Sequence, residues 1–302
     1  MSQRRQGLVY GLSAYLLWGL FPLYWPLLEP AGPLEILANR IIWSLVVVAV
    51  ILAATRNWGW LRGVLADRRR MLLLGAAAVT ITLNWGTYIY GVNSEQVVQT
   101  SLGYFINPLV SILFGVILLH ERLRRWQWVA VGLGGAAVLV LTADYGHPPW
   151  IALVLALSFG TYGLLKKTLD MGTVESLTVE TGLLFLPALA FLVFLQSRGD
   201  NTLSQEGPGH AAILVTTGVV TAVPLLFFGA AATRIPLTWI GLLQYIAPVI
   251  QFAIGVGLYH EPMPASRWIG FVLVWSALLL IGIESVAFHR SAATRALAPL
   301  TE

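Results

Sequence analysis

Two stretches of this chain, 140 residues apart, are punctuated alike. Residues 101–121 read SLGYFINPLVSILFGVILLHE, and residues 242–261 read LLQYIAPVIQFAIGVGLYHE. Pro108 faces Pro248, Gly115 faces Gly255, His120-Glu121 faces His260-Glu261, and a little further on Trp128 faces Trp268. Each stretch runs for about twenty residues without an internal charge, the length a helix needs to cross a bilayer. From about Ala31 to Ala130 the offset holds, setting Glu35 opposite Glu175, Arg40 opposite Glu180 and Asn84 opposite Pro224. The chain therefore divides into two related halves, 1–142 and 143–302, the second with a short tail.

The rest of the chain agrees with a membrane setting. Apolar residues make up 57% of the 302 and charged ones 11%, against about 25% charged in a soluble protein. Ten apolar segments can be marked out: 8–28, 34–54, 72–92, 97–119 and 126–142, then 149–167, 176–196, 210–230, 236–258 and 267–288. The fold class expected is an all-α integral membrane protein of ten transmembrane helices in two five-helix repeats. Most connections are short, so sequential helices are expected to be antiparallel neighbours, and only 55–71 and 197–209 read as long loops. The N-terminal Arg4-Arg5 followed by an apolar run mimics a signal peptide. It lacks a small-residue cleavage site and reads as a retained first span.

Orientation follows from the basic residues. With the N-terminus inside, fifteen of the eighteen Lys and Arg fall on the inner side, Arg198 and Arg267 fall outside, and Arg40 lies within a span. This bias predicts that both termini are cytoplasmic; the membrane expected is a bacterial inner one. Five is odd, so the second half enters the membrane upside down relative to the first. Such inverted repeats recur in transporters, with the substrate site near the midplane between them.

Ionisable groups inside spans are costly and are functional candidates by default. Arg40 sits in the second span and Glu180 at the corresponding depth of the seventh, on opposite faces, as a possible charged gate. Arg40 either snorkels outward to Glu35 or helix-end carbonyls, or meets a substrate carboxylate. Glu180 and Glu284, near the inner face, read as solvated. Pro108 and Pro248 each free a carbonyl four residues back and are candidate hinges; a plain packing kink is the alternative. Gly103, Gly115, Gly255 and Gly257 add flexibility or close packing to the same helices. Asn84 and Tyr88 share a helix face, as do Tyr104 with Pro108 and Gln244 with Pro248. With Trp18, Tyr162 and Tyr245 these residues are expected to line an uncharged, aromatic-walled cavity suited to a partly apolar small molecule. Trp58, Trp60, Trp126, Trp128, Trp150 and Trp268 read as interfacial anchors. The small-residue run 132–137 reads as helix packing rather than a phosphate loop.

Other classes of function find little support. All four Asp and all five His fall in loops or at span ends, cysteine is absent, and no acidic dyad or HExxH is present. No catalytic site, metal site or cofactor is therefore expected. No Walker motif is present for an ATP-driven pump, no ring of like charges for a channel, and no basic face for nucleic acid.

The tandem halves, each closing on a proline-centred helix and His-Glu, resemble the drug/metabolite transporter superfamily. The phrases SLGYFINPLVSILFGVILLHERL, EILANRIIWSL at 35–45 and NW at 84–85 make the chain similar to the EamA-type branch, near the RarD-like proteins and the YddG-type amino acid exporters. The resemblance covers about residues 7–288. It implies a secondary transporter that exports small neutral metabolites, foremost amino acids with apolar or aromatic side chains, by alternating access. A drug exporter of the same fold is the alternative, since RarD-like proteins are linked to drug sensitivity. The expected partners are a small-molecule substrate and membrane lipid, with the protein acting as a monomer.

Overall fold

The structure, a computed structural model, describes residues 3–119, 123–169 and 171–296. His120 and Glu121, one of the two repeated His-Glu endings, lie outside the described residues. The long helices are α1 (Gln3–Gly19), α2 (Pro33–Thr55), α3 (Arg68–Asn93), α4 (Val97–Leu119) and α5 (Arg125–Tyr145) in the first half. The second half holds α6 (Trp150–Leu169), α7 (Thr173–Arg198), α8 (Gly207–Ala232), the pair α9 (Leu237–Leu243) and α10 (Ile246–Gly257), and α11 (Ala265–Ala296). Among the described residues nine spans are long and apolar enough to cross a membrane. A tenth forms if α1 and the short helices of Phe21–Leu28, bent by 45° against each other, count as one. Helix is the expected answer, because the hydrocarbon core supplies no water to satisfy an open backbone.

Sequence marks the helix ends. Asp67 opens α3 by accepting hydrogen bonds from the Arg69 and Arg70 N–H groups, and α5 and α7 close on Gly146 and Gly199, both at φ +73°, a conformation glycine adopts without strain. The two long connections are less loop-like than expected, since each holds a short helix, Gly59–Ala66 and Thr202–Gln205. The connection at 56–67, Arg124-Arg125, Lys166-Lys167 and Arg234 gather at one end of the bundle, here the basic end.

Sequential helices, expected to be antiparallel neighbours, do touch in the pairs α2–α3, α3–α4 and α4–α5, but these are not the main contacts. The heaviest packing joins one half to the other: α5 with α11, α4 with α6, α2 with α8, α3 with α6, α2 with α7 and α4 with α10. Swapping the halves maps these pairs onto each other, with α4–α6 answered by α10–α1 and α3–α6 by α8–α1. Close approach needs small residues. A Cβ at Gly218 of α8 would collide with the Trp43 backbone of α2, and one at Gly103 of α4 would lie 2.8 Å from the Ala152 carbonyl oxygen of α6. In the run 132–137 only part of the small-residue surface packs: Gly134 meets Leu109, whereas Gly132 and Gly135 face open space.

Polar ties repeat the same symmetry. Asp144 at the end of α5 pairs with Arg267 at the start of α11 at 2.7 Å, and Glu284 on α11 pairs with Arg124 ahead of α5 at 2.9 Å. Glu35 of α2 accepts from the Thr202 N–H and hydroxyl in the linker after α7. Its counterpart Glu175 of α7 accepts from Asn57 in the linker after α2. The two prolines, in contrast, are not equivalent. Pro108 lies inside an unbroken α4. The ninth span breaks at Gln244–Tyr245, which puts Pro248 in the first turn of α10.

Candidate functional site

Near the end of the bundle opposite the basic end, α2, α3, α4 and the bent end of α1 meet in a layer of aromatic rings. Phe21, Trp25, Trp85 and Tyr88 belong to one buried cluster, against which Trp18, Tyr24, Tyr104, Phe159 and Tyr162 pack. The rings contact in a chain, Tyr88–Tyr104 at 5.7 Å and Tyr104–Phe159 at 5.8 Å between centroids, with Phe159 and Tyr162 next at 6.5 Å. Asn84 is fully buried and its amide is committed inside the protein. Its Nδ2 donates to the Leu155 carbonyl and the Ser158 hydroxyl of α6, and its Oδ1 accepts from Tyr104 of α4 at 3.2 Å. Asn84 is thus a strut between three helices that fixes the Tyr104 ring.

Arg40 points inward rather than to the membrane surface. Its guanidinium lies 4.1 Å from the Trp85 ring centroid, 5.0 Å from Trp25 and 5.7 Å from Phe21. The snorkelling arrangement is not adopted, because Glu35 is engaged by Thr202 instead. A desolvated cation–π contact is worth about 2 kcal/mol; burying an ion costs several. The rings alone leave that cost only partly offset.

Glu180 differs from its expected solvated state. It is 1% exposed and accepts from Tyr162 at 3.0 Å, Ser176 at 3.0 Å and Lys166 at 3.1 Å. The amphipathic end of α6 supplies the lysine from the basic end, so the carboxylate is paired within the protein. Arg40 and Glu180, at opposite ends, do not pair with each other. Trp18, Asn84, Tyr88, Tyr104 and Tyr162 are brought into one neighbourhood. Tyr245 instead packs against a second cluster built around Phe105 and Phe271, and Gln244 ends α9 at the break.

Three features escaped sequence reading. The Phe21, Trp25 and Trp85 rings around Arg40 come from separate helices, and no local spacing announces them. Gln251 donates to the Trp18 carbonyl at 3.0 Å and ties α10 to the end of α1. Glu261 accepts from the Val97 N–H at 2.5 Å and the Val98 N–H at 3.1 Å, capping α4 where its dipole favours an anion. Gly255 lies against the same Val98, so α10 and α4 are latched at this end. Burial pushes the Glu261 carboxyl up to about 7, although the two backbone N–H groups pull the other way. The His-Glu ending was the available signal for this cap.

Residues 5–143 and, separately, 149–283 match the EamA-like transporter family. The chain is 56% identical to "Protein RarD" of Streptomyces exfoliatus over 97% of its own length and 93% of that protein. It is 42% identical to "Uncharacterized transporter YojE" of Bacillus subtilis, covering 96% and 98%. Similarity at 30% identity, covering 96% and 98%, extends to "Chloramphenicol-sensitive protein RarD" of Pseudomonas aeruginosa. A protein of known crystal structure shares the fold with a TM-score of 0.58 at 17% identity, covering 94% of this chain and 99% of that one.

Proposed function

Because this chain belongs to the EamA-like transporter family, we propose that it is a secondary transporter that exports small neutral metabolites, foremost amino acids with apolar or aromatic side chains. As a member of that family it is a multi-pass membrane transporter and not an enzyme. The observation that carries the substrate reading is the layer of Trp18, Tyr88, Tyr104, Phe159 and Tyr162, drawn from helices of both halves. Ring faces of this kind favour a ligand with an apolar body and few polar groups. Alternating access would open this layer to one side and then the other, with the related halves exchanging roles. The proposed setting is a bacterial inner membrane, with both termini in the cytoplasm and the protein working as a monomer.

A drug-like substrate is the second reading. It is favoured by the printed name of the Pseudomonas aeruginosa relative, "Chloramphenicol-sensitive protein RarD", and by the same aromatic surfaces. Proteoliposomes loaded with labelled phenylalanine, tryptophan, methionine, glutamate, lysine or chloramphenicol decide between the two. Faster movement of the first three supports the amino acid reading. Preference for glutamate or lysine, or movement of chloramphenicol alone, refutes it.

A further inference from the structure

Arg40 stands out among the buried groups of the bundle. It is 3% exposed, and it takes part in none of the ion pairs formed by the described residues. The acid one turn away on its own helix, Glu35, is engaged by Thr202, and Glu180 lies at the other end of the bundle, paired with Lys166. The Arg40 Nε has no hydrogen-bond partner, nor do the Trp25 Nε1 and the Tyr88 hydroxyl. Trp25 and Tyr88 are 0% and 2% exposed. These three residues are neighbours: the guanidinium sits over the Trp25 and Phe21 rings, and the Tyr88 ring lies 6.5 Å from that of Phe21.

The imbalance has a direction. An arginine Nε–H and an indole N–H can only donate, and a tyrosine hydroxyl donates readily. Buried donors without acceptors are costly, and a ring face attracts the guanidinium charge without accepting its N–H bonds in line. What the cluster lacks is a compact group that brings acceptors and a single negative charge. A carboxylate supplies both and matches the planar guanidinium fork. One guanidinium among Phe21, Trp25, Trp85, Tyr88 and Tyr104 suits a monoanion; a dianion would need a second cation.

We infer that Arg40, with Trp25 and Tyr88, is the locus that receives the carboxylate of the transported molecule while the adjoining rings take its apolar part. The inference rests on the transporter reading above; it keeps the zwitterionic amino acids, which carry one carboxylate, and adds simple monocarboxylic acids, which lie outside the neutral class proposed there. Its chemistry also explains why an arginine is kept at this depth: the charge is completed only when substrate is bound.

The test uses the purified full chain in detergent and three probes of similar size: phenylalanine, 3-phenylpropanoate and phenylalaninamide. Ligand-induced shifts of the thermal midpoint give affinities for the wild type, Arg40→Gln and Tyr88→Phe. Both carboxylates are expected to stabilise the wild type and the amide to do so weakly. Arg40→Gln should lower the preference for phenylalanine over its amide by about tenfold or more, the loss of a hydrogen bond to a charged group. Tyr88→Phe keeps the ring and should lower the same preference less. A role in folding alone would move the midpoint of Arg40→Gln without moving this ratio. If Arg40→Gln does not fold, the wild-type preference and Tyr88→Phe carry the test. Equal binding of amide and acid, failure of both carboxylates to bind, or an unchanged ratio in the variants overturns the inference. Vesicle uptake separates the two levels. Binding of 3-phenylpropanoate with no amino acid transported sinks the amino acid reading and keeps the locus. Transport of phenylalanine with an unchanged acid-over-amide ratio in the variants sinks the locus and keeps the amino acid reading, and transport of chloramphenicol with no carboxylate bound sinks both.

Discussion

At the scale of single residues, the buried polar groups fall into those that finish their bonds inside the protein and those that do not. Asn84 finishes them. Replacing it with alanine removes its bonds to Leu155, Ser158 and Tyr104 and leaves a buried hydroxyl without its acceptor. Asn84→Ala is therefore expected to destabilise the protein by about 1–3 kcal/mol, read as a fall in thermal midpoint, and an unchanged midpoint would show that the strut carries no weight. Glu261 is a different case, since it closes a latch whose charge is sensitive to pH. Its pKa is raised from 4.5 to about 7, by burial first, with Arg267 opposing and Glu95 adding to the rise. The folded state thus holds a proton that the unfolded chain has released between these values, so Glu261 makes stability fall as pH rises through that window. Glu261→Gln should flatten the midpoint between pH 5 and 8 relative to the wild type. A variant profile as steep as the wild type's would assign the slope to other groups.

At the scale of helices, the symmetric prolines have unequal surroundings. Pro108 removes a bond within continuous α4 and leaves the Tyr104 carbonyl without its intrahelical donor. Pro248 occupies the first turn of α10, where N–H groups lack intrahelical acceptors in any case. Pro108→Ala should therefore stiffen α4 and slow exchange of access between the two faces, whereas Pro248→Ala should change it little. Reactivity of a cysteine placed in the aromatic layer, measured from each side, checks this; equal effects of the two substitutions would return the hinge to both prolines. Existence of the helices was legible in the sequence because an uncharged run of twenty residues has few other solutions in lipid. Their breaks were not. Pro108 and Pro248 look alike in sequence, yet α4 runs through its proline and the ninth span breaks just ahead of its own. The aromatic layer was partly legible, because Asn84, Tyr88 and Tyr104 repeat on helix faces. The Phe21, Trp25 and Trp85 cage around Arg40 was not, since its members meet only through the bend at the end of α1.

At the scale of the molecule, alternating chain direction puts Arg62 at the basic end and Asp200 at the other. The chain has no cysteine, so single cysteines report cleanly. Arg62→Cys should react with a membrane-impermeant maleimide only from the cytoplasmic side, and Asp200→Cys only from outside; labelling of both from one side would contradict the proposed topology. Which helices meet could not be read from the chain, because in lipid nearly every helix face is apolar and hydrophobic pattern no longer marks the buried side. Ion pairs Asp144–Arg267 and Glu284–Arg124 register the halves against each other, and α2, α3 and α4 find their main partners in α6, α7 and α8. For biogenesis this means that the nascent first half leaves the ribosome with its principal contact surfaces unmatched: Asn84 waits for Ser158, Glu35 for Thr202, and Gly103 for the backbone of α6. A chain divided at residues 146–149 should accordingly accumulate when both pieces are expressed together and be degraded when either is expressed alone, and survival of the isolated first piece at full level would show that it matures without waiting for the second.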